Sequence, residues 1–388
     1  MRLSFIALAT AALLLGACED SANTSTPPPR PQAPAPQVGS TTTASGKIRI
    51  ALLLPLSGRA APTGQAMQQA AEMSLFDSGA NDLALAAYDS GETGESAISA
   101  YRKARADGVA LVLGPLFGPS AKALAPLVAQ GGVNVIAFSN DEAAAQPGVW
   151  VMGIAAPPQV RRVVDQAVNA GIKRFAALAP RSAYGEQMTS TLESHVAVRG
   201  GQVVASELYD EGGDLTAAVK RLAADVKGDG KLAVLVPVAP PRLAGVLAAL
   251  SAAGIDSSSV QFIGTGVWDI PGIGADTALR GAWYAAPDPA KRADFERRFI
   301  STYGRPPLRL ATLAYDAVAL AGKLARLKPG GDFSTEAITN ANGWSGVDGV
   351  FRFLPDGRTE RGLAVIEVQG ERNLVVSPAP GSFVSNTN

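Results

Sequence analysis

The chain has 388 residues, 47% of them hydrophobic, and its 34 basic and 34 acidic side chains give a formal net charge of zero. This length predicts two globular domains, and the balanced charge argues against the basic surface by which proteins bind nucleic acid or anionic membranes. The single cysteine excludes a disulfide framework, so we expect the folded part to hold by packing alone.

Residues 1–17 have the organisation of an export signal. Arg2 supplies a positive charge, and an apolar run that ends at Leu15 is shorter than the ~20 residues needed to cross a bilayer. The following "LGAC" resembles the bacterial lipobox, in which the cysteine is diacylated and becomes the first mature residue. We therefore predict a lipoprotein signal peptide, lipidation of Cys18, and a periplasmic protein anchored to the outer or inner membrane. The alternatives are an ordinary signal peptide with a chance cysteine and a catalytic cysteine, for which no surrounding domain is predicted.

Residues 18–46 differ sharply in composition from the rest of the chain. The stretch "SANTSTPPPRPQAPAPQVGSTTTASG" has almost no large apolar residues and cannot bury enough surface to fold. Its prolines favour extended polyproline II structure. We interpret this segment as a tether between the lipid anchor and the folded part.

From Lys47 onwards, apolar strands alternate with helical segments. The runs "KIRIALLLPLSG", "LALAAYD", "VALVLG" and "VNVIAFS" are continuous apolar strands, typical of a parallel sheet covered on both faces. Ligands bind at the carboxyl edge of such sheets. The loops at that edge contain Ser57, Phe117, Ser120, Ser139, Asn140 and Asp141.

The same alternation starts again after residue 154. In "PQVRRVVDQAVNAGI" the apolar residues fall on one helical face, and further strands and helices follow to "VQFIGTG". Two later helices are predicted, one with Phe295, Phe299 and Tyr303 on one face and one from Leu310 to Leu327. The tail returns to strands, with the turn of a hairpin at residues 355–357. Residues 378–388 are predicted to be disordered.

Six segments in this order carry a family resemblance: "IALLLPLSG", "LVLGPLFGPS", "VNVIAFSND", "AYGEQM", "FERRFISTYGRPP…ATLAYDAV" and "GVFRFLPDG". Together they resemble periplasmic binding proteins of the leucine/isoleucine/valine type, from Lys47 to about Val376. The resemblance implies an α/β fold of two doubly wound parallel-sheet lobes joined by three crossing strands. The implied first lobe is 47–154 plus 286–328, and the second is 155–285 plus 329–377.

An enzyme is disfavoured by the residues themselves. The one histidine, His195, is predicted late in a helix, where a lone histidine is most often a half-packed surface side chain. No cluster has metal-ligand spacing, and the Gly-rich loops lack a P-loop lysine or a dinucleotide fingerprint. We therefore predict no catalytic residue, no metal and no cofactor.

The resemblance also implies where a ligand would bind. Tyr184 matches the aromatic residue that closes over ligands in the relatives, and their second-lobe carboxylate falls at Gly266, with Asp269 three residues on. The loop after the third strand contains Pro115 and Pro119, which remove two N–H donors, where the relatives are rich in Ser and Thr. The side chains predicted to bind a ligand or a partner are Ser57, Phe117, Ser120, Ser139, Asn140, Asp141, Tyr184, Trp268 and Asp269.

Two functions follow from this altered cleft. The lipid anchor, the tether and the fold resemble the lipoprotein activators of penicillin-binding proteins, which implies a class A synthase as partner and a role in peptidoglycan synthesis. Phe117, Tyr184 and Trp268, with Arg59 beside the first turn, are then candidate partner contacts, although they could equally be packing residues. The alternative is the substrate-binding component of a branched-chain amino acid-type ABC transporter, with a permease as partner and a small molecule in the cleft.

Overall fold

The computed structural model describes residues 41–213, 215–370 and 373–383. The predicted signal peptide, Cys18 and the tether up to residue 40 lie outside the described residues. Within the described ranges, none of the helices has the length and apolarity needed to span a bilayer. Residues 41–46, which the sequence assigns to the tether, lie beside the first strand, where Arg49 N donates to Thr41 O at 2.9 Å.

The first lobe is built on a five-stranded parallel sheet. Its strands are β1 Ile48–Leu54, β2 Leu83–Asp89, β3 Leu111–Leu113, β4 Val135–Ala137 and β5 Val149–Val151. They lie in the order β2-β1-β3-β4-β5. The helices that connect the first four strands are α1 Ala61–Asp77, α2 Gly94–Ala106 and α3 Gly118–Ala129. Strand residues alternate between two cores, so Ile50 and Leu52 pack with α1 while Ala51 and Leu53 pack with α2 and α3.

The chain then crosses to a second sheet and repeats the pattern. The strands of this part are β6 Arg174–Pro180, β7 Gln202–Tyr209, β8 Leu232–Leu235, β9 Gln261–Gly264 and β10 Trp283–Ala286. The helices are α4 Ala156–Asn169, α5 Ala183–Val198, α6 Leu215–Asp225 and α7 Arg242–Ala252. On α4, Val160, Val163 and Val164 are fully buried, as their spacing predicts.

The chain returns to the first lobe after β10. Helices α8 Pro289–Tyr303 and α9 Ala311–Ala325 pack there, with Phe295 and Phe299 of α8 buried against α1. A short helix and a small antiparallel sheet follow: α10 Thr335–Ile338, β11 Trp344–Gly346, β12 Gly349–Phe353 and β13 Thr359–Arg361. The last strands, β14 Ala364–Glu367 and β15 Leu374–Ser377, are antiparallel additions to the second sheet. That sheet has the order β15-β14-β10-β9-β8-β6-β7.

The predicted fold class is confirmed: two α/β lobes with parallel sheets, between which the chain crosses three times, after β5, β10 and β13. The exact lobe boundaries given by the sequence remain our proposal. The strand order of the two sheets supports these boundaries, except within residues 329–377. The sequence assigns all of 329–377 to the second lobe, but Phe351 and Phe353 are buried in the first-lobe core. Their rings pack there because β12 pairs with β11 and β13 in the small antiparallel sheet, and only β14 and β15 enter the second sheet.

The predicted tail also differs from the structure in its first part. Residues 378–383, expected to be disordered, contact the folded chain. The Pro378 carbonyl accepts a hydrogen bond from Arg162, and the guanidinium of Arg352 lies 4.9 Å from the centre of the Phe383 ring. These contacts hold the segment against α4 and β12, which composition alone does not indicate.

Candidate ligand-binding site

A cavity of about 470 Å³ lies between the lobes, where the carboxyl ends of the strands of both sheets meet. We call the residues from the first-lobe loops and the start of α9 the first wall, and those from α4, α5 and the loop after β9 the second wall. The first wall consists of Leu116, Phe117, Gly118, Pro119, Phe138, Ser139, Asn140, Asp141, Arg309, Leu310 and Leu313. The second wall consists of Ala156, Gln159, Tyr184, Gly266, Val267 and Asp269. The crossing segments add Gly153, Ile154, Ala286 and Pro287.

The polar part of the first wall is the loop after β4. Ser139 Oγ accepts a hydrogen bond from Asp141 N at 3.0 Å, and Asp141 Oδ1 accepts one from Ala143 N at 3.0 Å. The other carboxylate oxygen, Asp141 Oδ2, lies beside Gly118, where an added Cβ would come within 2.8 Å of it. Glycine at the first residue of α3 therefore permits this close approach. Within the described residues, neither Asp141 Oδ2 nor the Asn140 amide makes a hydrogen bond.

The polar side chains of the second wall are bonded to the protein. Gln159 Nε2 donates to Ala155 O at 2.9 Å, and Gln159 Oε1 accepts the N–H of Gly266. The Tyr184 hydroxyl is 2.8 Å from Thr265 Oγ1, and burial raises the pKa of Tyr184. Gly266, which the family resemblance aligns with a second-lobe carboxylate, thus has its N–H taken up by Gln159.

Asp269 links the two lobes through ion pairs. Its Oδ2 lies 3.0 Å from Arg292 Nη1 and 3.2 Å from Arg309 Nε, and both arginines belong to the first lobe. The side chains of Asp269 and Arg292 are only 11% and 12% exposed. Burial lowers the pKa of Arg292, but the hydrogen bond and charge of Asp269 outweigh it and raise that pKa. Asp269 is therefore a structural contact between the lobes as well as a lining residue.

A buried charge cluster lies behind Arg309. Arg309 Nη1 donates to Asp348 Oδ2 at 3.0 Å, and Arg309 Nη2 is in ionic contact with Asp348 Oδ1 at 3.0 Å. Burial raises the pKa of the fully buried Asp348, but the charges of Arg309 and Arg361 outweigh it and lower that pKa. Asp316 receives N–H bonds from Val347 and Asp348, while burial, with the charge of Asp348, raises its pKa to about 7.

Six of the nine predicted side chains line the cavity together: Phe117, Ser139, Asn140, Asp141, Tyr184 and Asp269. Ser57 instead hydrogen-bonds the carboxylate of Asp89, which lowers the pKa of Asp89. Ser120 lies on the inner side of α3 with 1% exposure, and its hydroxyl has no hydrogen-bond partner in the described part of the chain. The exposed Arg59 is likewise not among the lining residues.

Trp268 is not available to a ligand or a partner. Its side chain is fully buried, its Nε1 donates to Val238 O at 2.9 Å, and its ring meets Tyr284 edge-on. The ring also packs on Gly264, where an added Cβ would lie 2.6 Å from it. The prediction of Trp268 as a residue of the cleft mouth is thus corrected, because the turn after β9 folds the ring into the second-lobe core.

Sequence reasoning missed Gln159, Arg309, Leu310 and Leu313 as lining residues. Gln159 is the one polar residue on the apolar face of α4, which is a usable signal. Arg309 and Leu310 lie at the start of α9, far along the chain, and only the return of the chain to the first lobe brings them to the cleft. Among the described residues, no group of three or more His, Cys, Asp or Glu side chains is placed to hold a metal ion.

Comparison with known proteins agrees with this architecture. Solved structures with the same fold include an ABC transporter substrate-binding protein from Sphaerobacter thermophilus, at 20% identity and a TM-score of 0.69 over 86% of this chain and 98% of that one. A branched chain amino acid ABC transporter periplasmic ligand-binding protein from Burkholderia xenovorans gives 16% identity and 0.68 over 86% and 94%. An ABC transporter solute binding protein from R. palustris, in complex with benzoate, gives 20% and 0.60 over 86% and 98%.

A curated relative is an uncharacterized protein of Rickettsia prowazekii, 24% identical over 165 residues. This alignment covers 42% of the present chain and only 44% of that protein, less than half the length of each. The family model described as periplasmic binding protein matches residues 47–373, which is most of the chain and nearly all of its folded part. The chain belongs to the periplasmic binding protein family.

Proposed function

We propose that this protein captures a small solute in the cavity between its lobes and presents it to the permease of an ABC importer. The observation that carries the proposal is the cavity itself, about 470 Å³ and lined by residues of both lobes. Its size and mixed lining are typical of small-molecule sites. The family and the names of the three solved relatives support the same reading.

The activator reading has less support than the importer reading. The activator role assumes that the cleft no longer binds a ligand. In this protein the cleft contains a cavity that a solute can enter. One of the proposed partner contacts, Trp268, is buried in the core. The three solved relatives are named as ABC transporter proteins, and none of these names supports a synthase partner. We therefore place the importer role first and the activator role second.

Non-enzymatic binding is the simplest chemistry for this site. The one histidine, His195, lies on α5 and contacts Asp165 at 2.8 Å, and it is not among the residues that line the cavity. Arg309 and Asp269 of the cavity are held in ion pairs with each other. We infer that these groups position the lobes and that the protein binds its solute without transforming it.

We further propose that a lipid on Cys18 and the following tether hold the binding domain near the membrane. Replacement by serine, Cys18→Ser, removes the thiol to which the lipid is attached. The expected result is loss of acyl labelling and release of the protein from the membrane fraction. Unchanged labelling and retention in the variant would overturn the lipid anchor and leave solute capture untouched.

The test of solute capture is to fill the cavity. Leu310 lines it and Leu308 does not, yet the two are 41% and 42% exposed in the same loop, so tryptophan is tolerated at both. A solute panel is screened by thermal shift, since a ligand that binds only the native state raises the melting temperature. We expect at least one solute to stabilise both the wild-type protein and the Leu308→Trp variant. The Leu310→Trp variant should bind that solute about tenfold more weakly, or weaker still. Equal binding by both variants would contradict the proposed site.

A further inference from the structure

The charged groups of the cavity are unequal in their availability to a ligand. Arg309 is the one cation among the lining residues, and its nitrogens are used within the protein. Nε contacts Asp269 at 3.2 Å, Nη1 bonds Asp348 and Thr312 at 3.0 Å, and Nη2 is buried against Asp348. Nη2 makes no hydrogen bond within the described residues, but it is buried, so a ligand carboxylate finds no exposed free donor on this guanidinium. Binding an anion there would require breaking a buried ion pair, which is costly.

The second place where a carboxylate could bind is the N-terminus of α3, which carries a partial positive charge. That place is already next to a negative charge, because Asp141 Oδ2 lies beside Gly118, the first residue of the helix. Pro119, the second residue, has no N–H to donate. The carboxylate of Asp141 thus occupies the region where a ligand carboxylate would bind, and it repels one.

The same carboxylate is the free charge on the first wall. Its Oδ1 caps Ala143 N, whereas Oδ2 makes no hydrogen bond within the described residues. The neighbouring Asn140 side chain is also exposed and without a hydrogen bond there. An ammonium group satisfies a carboxylate and an amide oxygen, since it carries only donors.

The rest of the cavity suits an apolar body next to such a head group. Aromatic rings come from Phe117, Phe138 and Tyr184, and aliphatic side chains from Leu310 and Leu313. Aromatic faces attract cations as well as apolar groups. The volume of about 470 Å³ accommodates a compact amine with one ring or a short aliphatic chain.

We propose that the cavity takes an amphipathic amine, with the ammonium group at Asp141 Oδ2 and the apolar body against the rings of the first wall, and that it rejects carboxylates and zwitterionic amino acids. This inference rests on the proposed function, because it names the solute class for the same site. The inference excludes amino-acid capture, because the cavity offers no free partner for the carboxylate of an amino acid.

The experiment uses four probes that share a phenyl ring: phenethylamine, phenethyl alcohol, hydrocinnamate and L-phenylalanine. Their binding is measured by calorimetry and thermal shift on the wild type, Asp141→Asn and Asp276→Asn. Asp276 is the matched control, because it caps Ala278 N at 3.0 Å just as Asp141 caps Ala143, but does not line the cavity. Asparagine keeps both caps, so we expect all three proteins to have the same melting temperature without ligand.

We expect phenethylamine to bind more tightly than the other three probes, and Asp141→Asn to weaken its binding about tenfold or more. Asp276→Asn should leave that affinity unchanged. Tighter binding of hydrocinnamate or L-phenylalanine, or equal amine affinity in Asp141→Asn, would overturn the amine proposal while leaving solute capture in place. If no probe binds and no solute of the wider panel stabilises the protein, the amine proposal and solute capture both fail.

Discussion

On the second wall of the cavity, Gln159, Tyr184 and Asp269 direct their polar atoms to protein partners. On the first wall, Asn140 and one oxygen of Asp141 line the same cavity without a hydrogen bond inside the described part of the chain. Polar groups that are already bonded add little to ligand affinity, because a new bond replaces an old one. Under the proposed function, we infer from this difference that the first lobe supplies the polar contacts to the solute and that the second lobe covers it.

We expect the largest effect, on the free energy of unfolding, from a substitution in the buried charge cluster behind Arg309. Asp348→Ala leaves the Arg309 guanidinium without its fully buried partner. Removal of one member of a buried ion pair costs about 3–5 kcal/mol, so we expect a loss of this size in the free energy of unfolding. Urea denaturation measures it. Asp294→Ala is the control, since its pair with Arg297 has both side chains more than 70% exposed. Equal stability of the two variants would show that Arg309 is not held by Asp348.

The second effect is a pH dependence from the same cluster. Burial raises the pKa of Asp316 from 3.8 to about 7, so the folded protein keeps a proton that the unfolded chain releases near its ordinary pKa. The stability from this proton is present in acid and is lost as the pH rises toward 7. The contribution changes by at most about 1.4 kcal/mol per pH unit.

Asp316→Asn tests this dependence, because the amide stays neutral and its oxygen can still accept the Val347 N–H. Unfolding free energies are compared at several pH values between about 5 and about 7. We expect the wild type to lose stability relative to the variant as the pH rises. Parallel curves for the two proteins would contradict a raised pKa at Asp316.

We expect the smallest effect, on solute affinity, from a pair of substitutions that compares the two walls directly. Asn140→Ala removes a free amide from the first wall, and Tyr184→Phe removes a hydroxyl that is bonded to Thr265 on the second. For the tightest solute of the panel, we expect Asn140→Ala to weaken binding by about 1 kcal/mol and Tyr184→Phe to change it far less. Tyr184→Phe should instead lower the melting temperature, because Thr265 loses its partner. The reverse order of affinities would place recognition on the second wall.

The sequence predicts the fold well because continuous apolar strands and one-faced helices leave few other arrangements. It also brings Phe117, Ser139, Asn140 and Asp141 together, since the carboxyl ends of parallel strands meet at one edge, whereas Tyr184 and Asp269 follow only from the family resemblance. It fails where a contact depends on distant parts of the chain. Arg309 reaches the cleft only because α9 returns to the first lobe, and Trp268 is buried because Gly264 lets its ring fold inward.

The bonding of Gln159 to Gly266 could not be predicted for the same reason, because it joins α4 to a loop about a hundred residues later. Periodicity marks Gln159 as an inward residue but does not identify its partner. The availability of a polar group to a ligand is thus a tertiary property. This is why sequence reasoning named several residues that line the cavity but did not separate its two walls.

The most direct measurement is a crystal structure of the protein with the tightest solute of the panel. We expect polar atoms of the solute within about 3.2 Å of Asn140 or Asp141, with the Gln159–Gly266 and Tyr184–Thr265 bonds intact. A solute whose polar atoms bond to Gln159 or Tyr184 and leave Asn140 and Asp141 in solvent would contradict it.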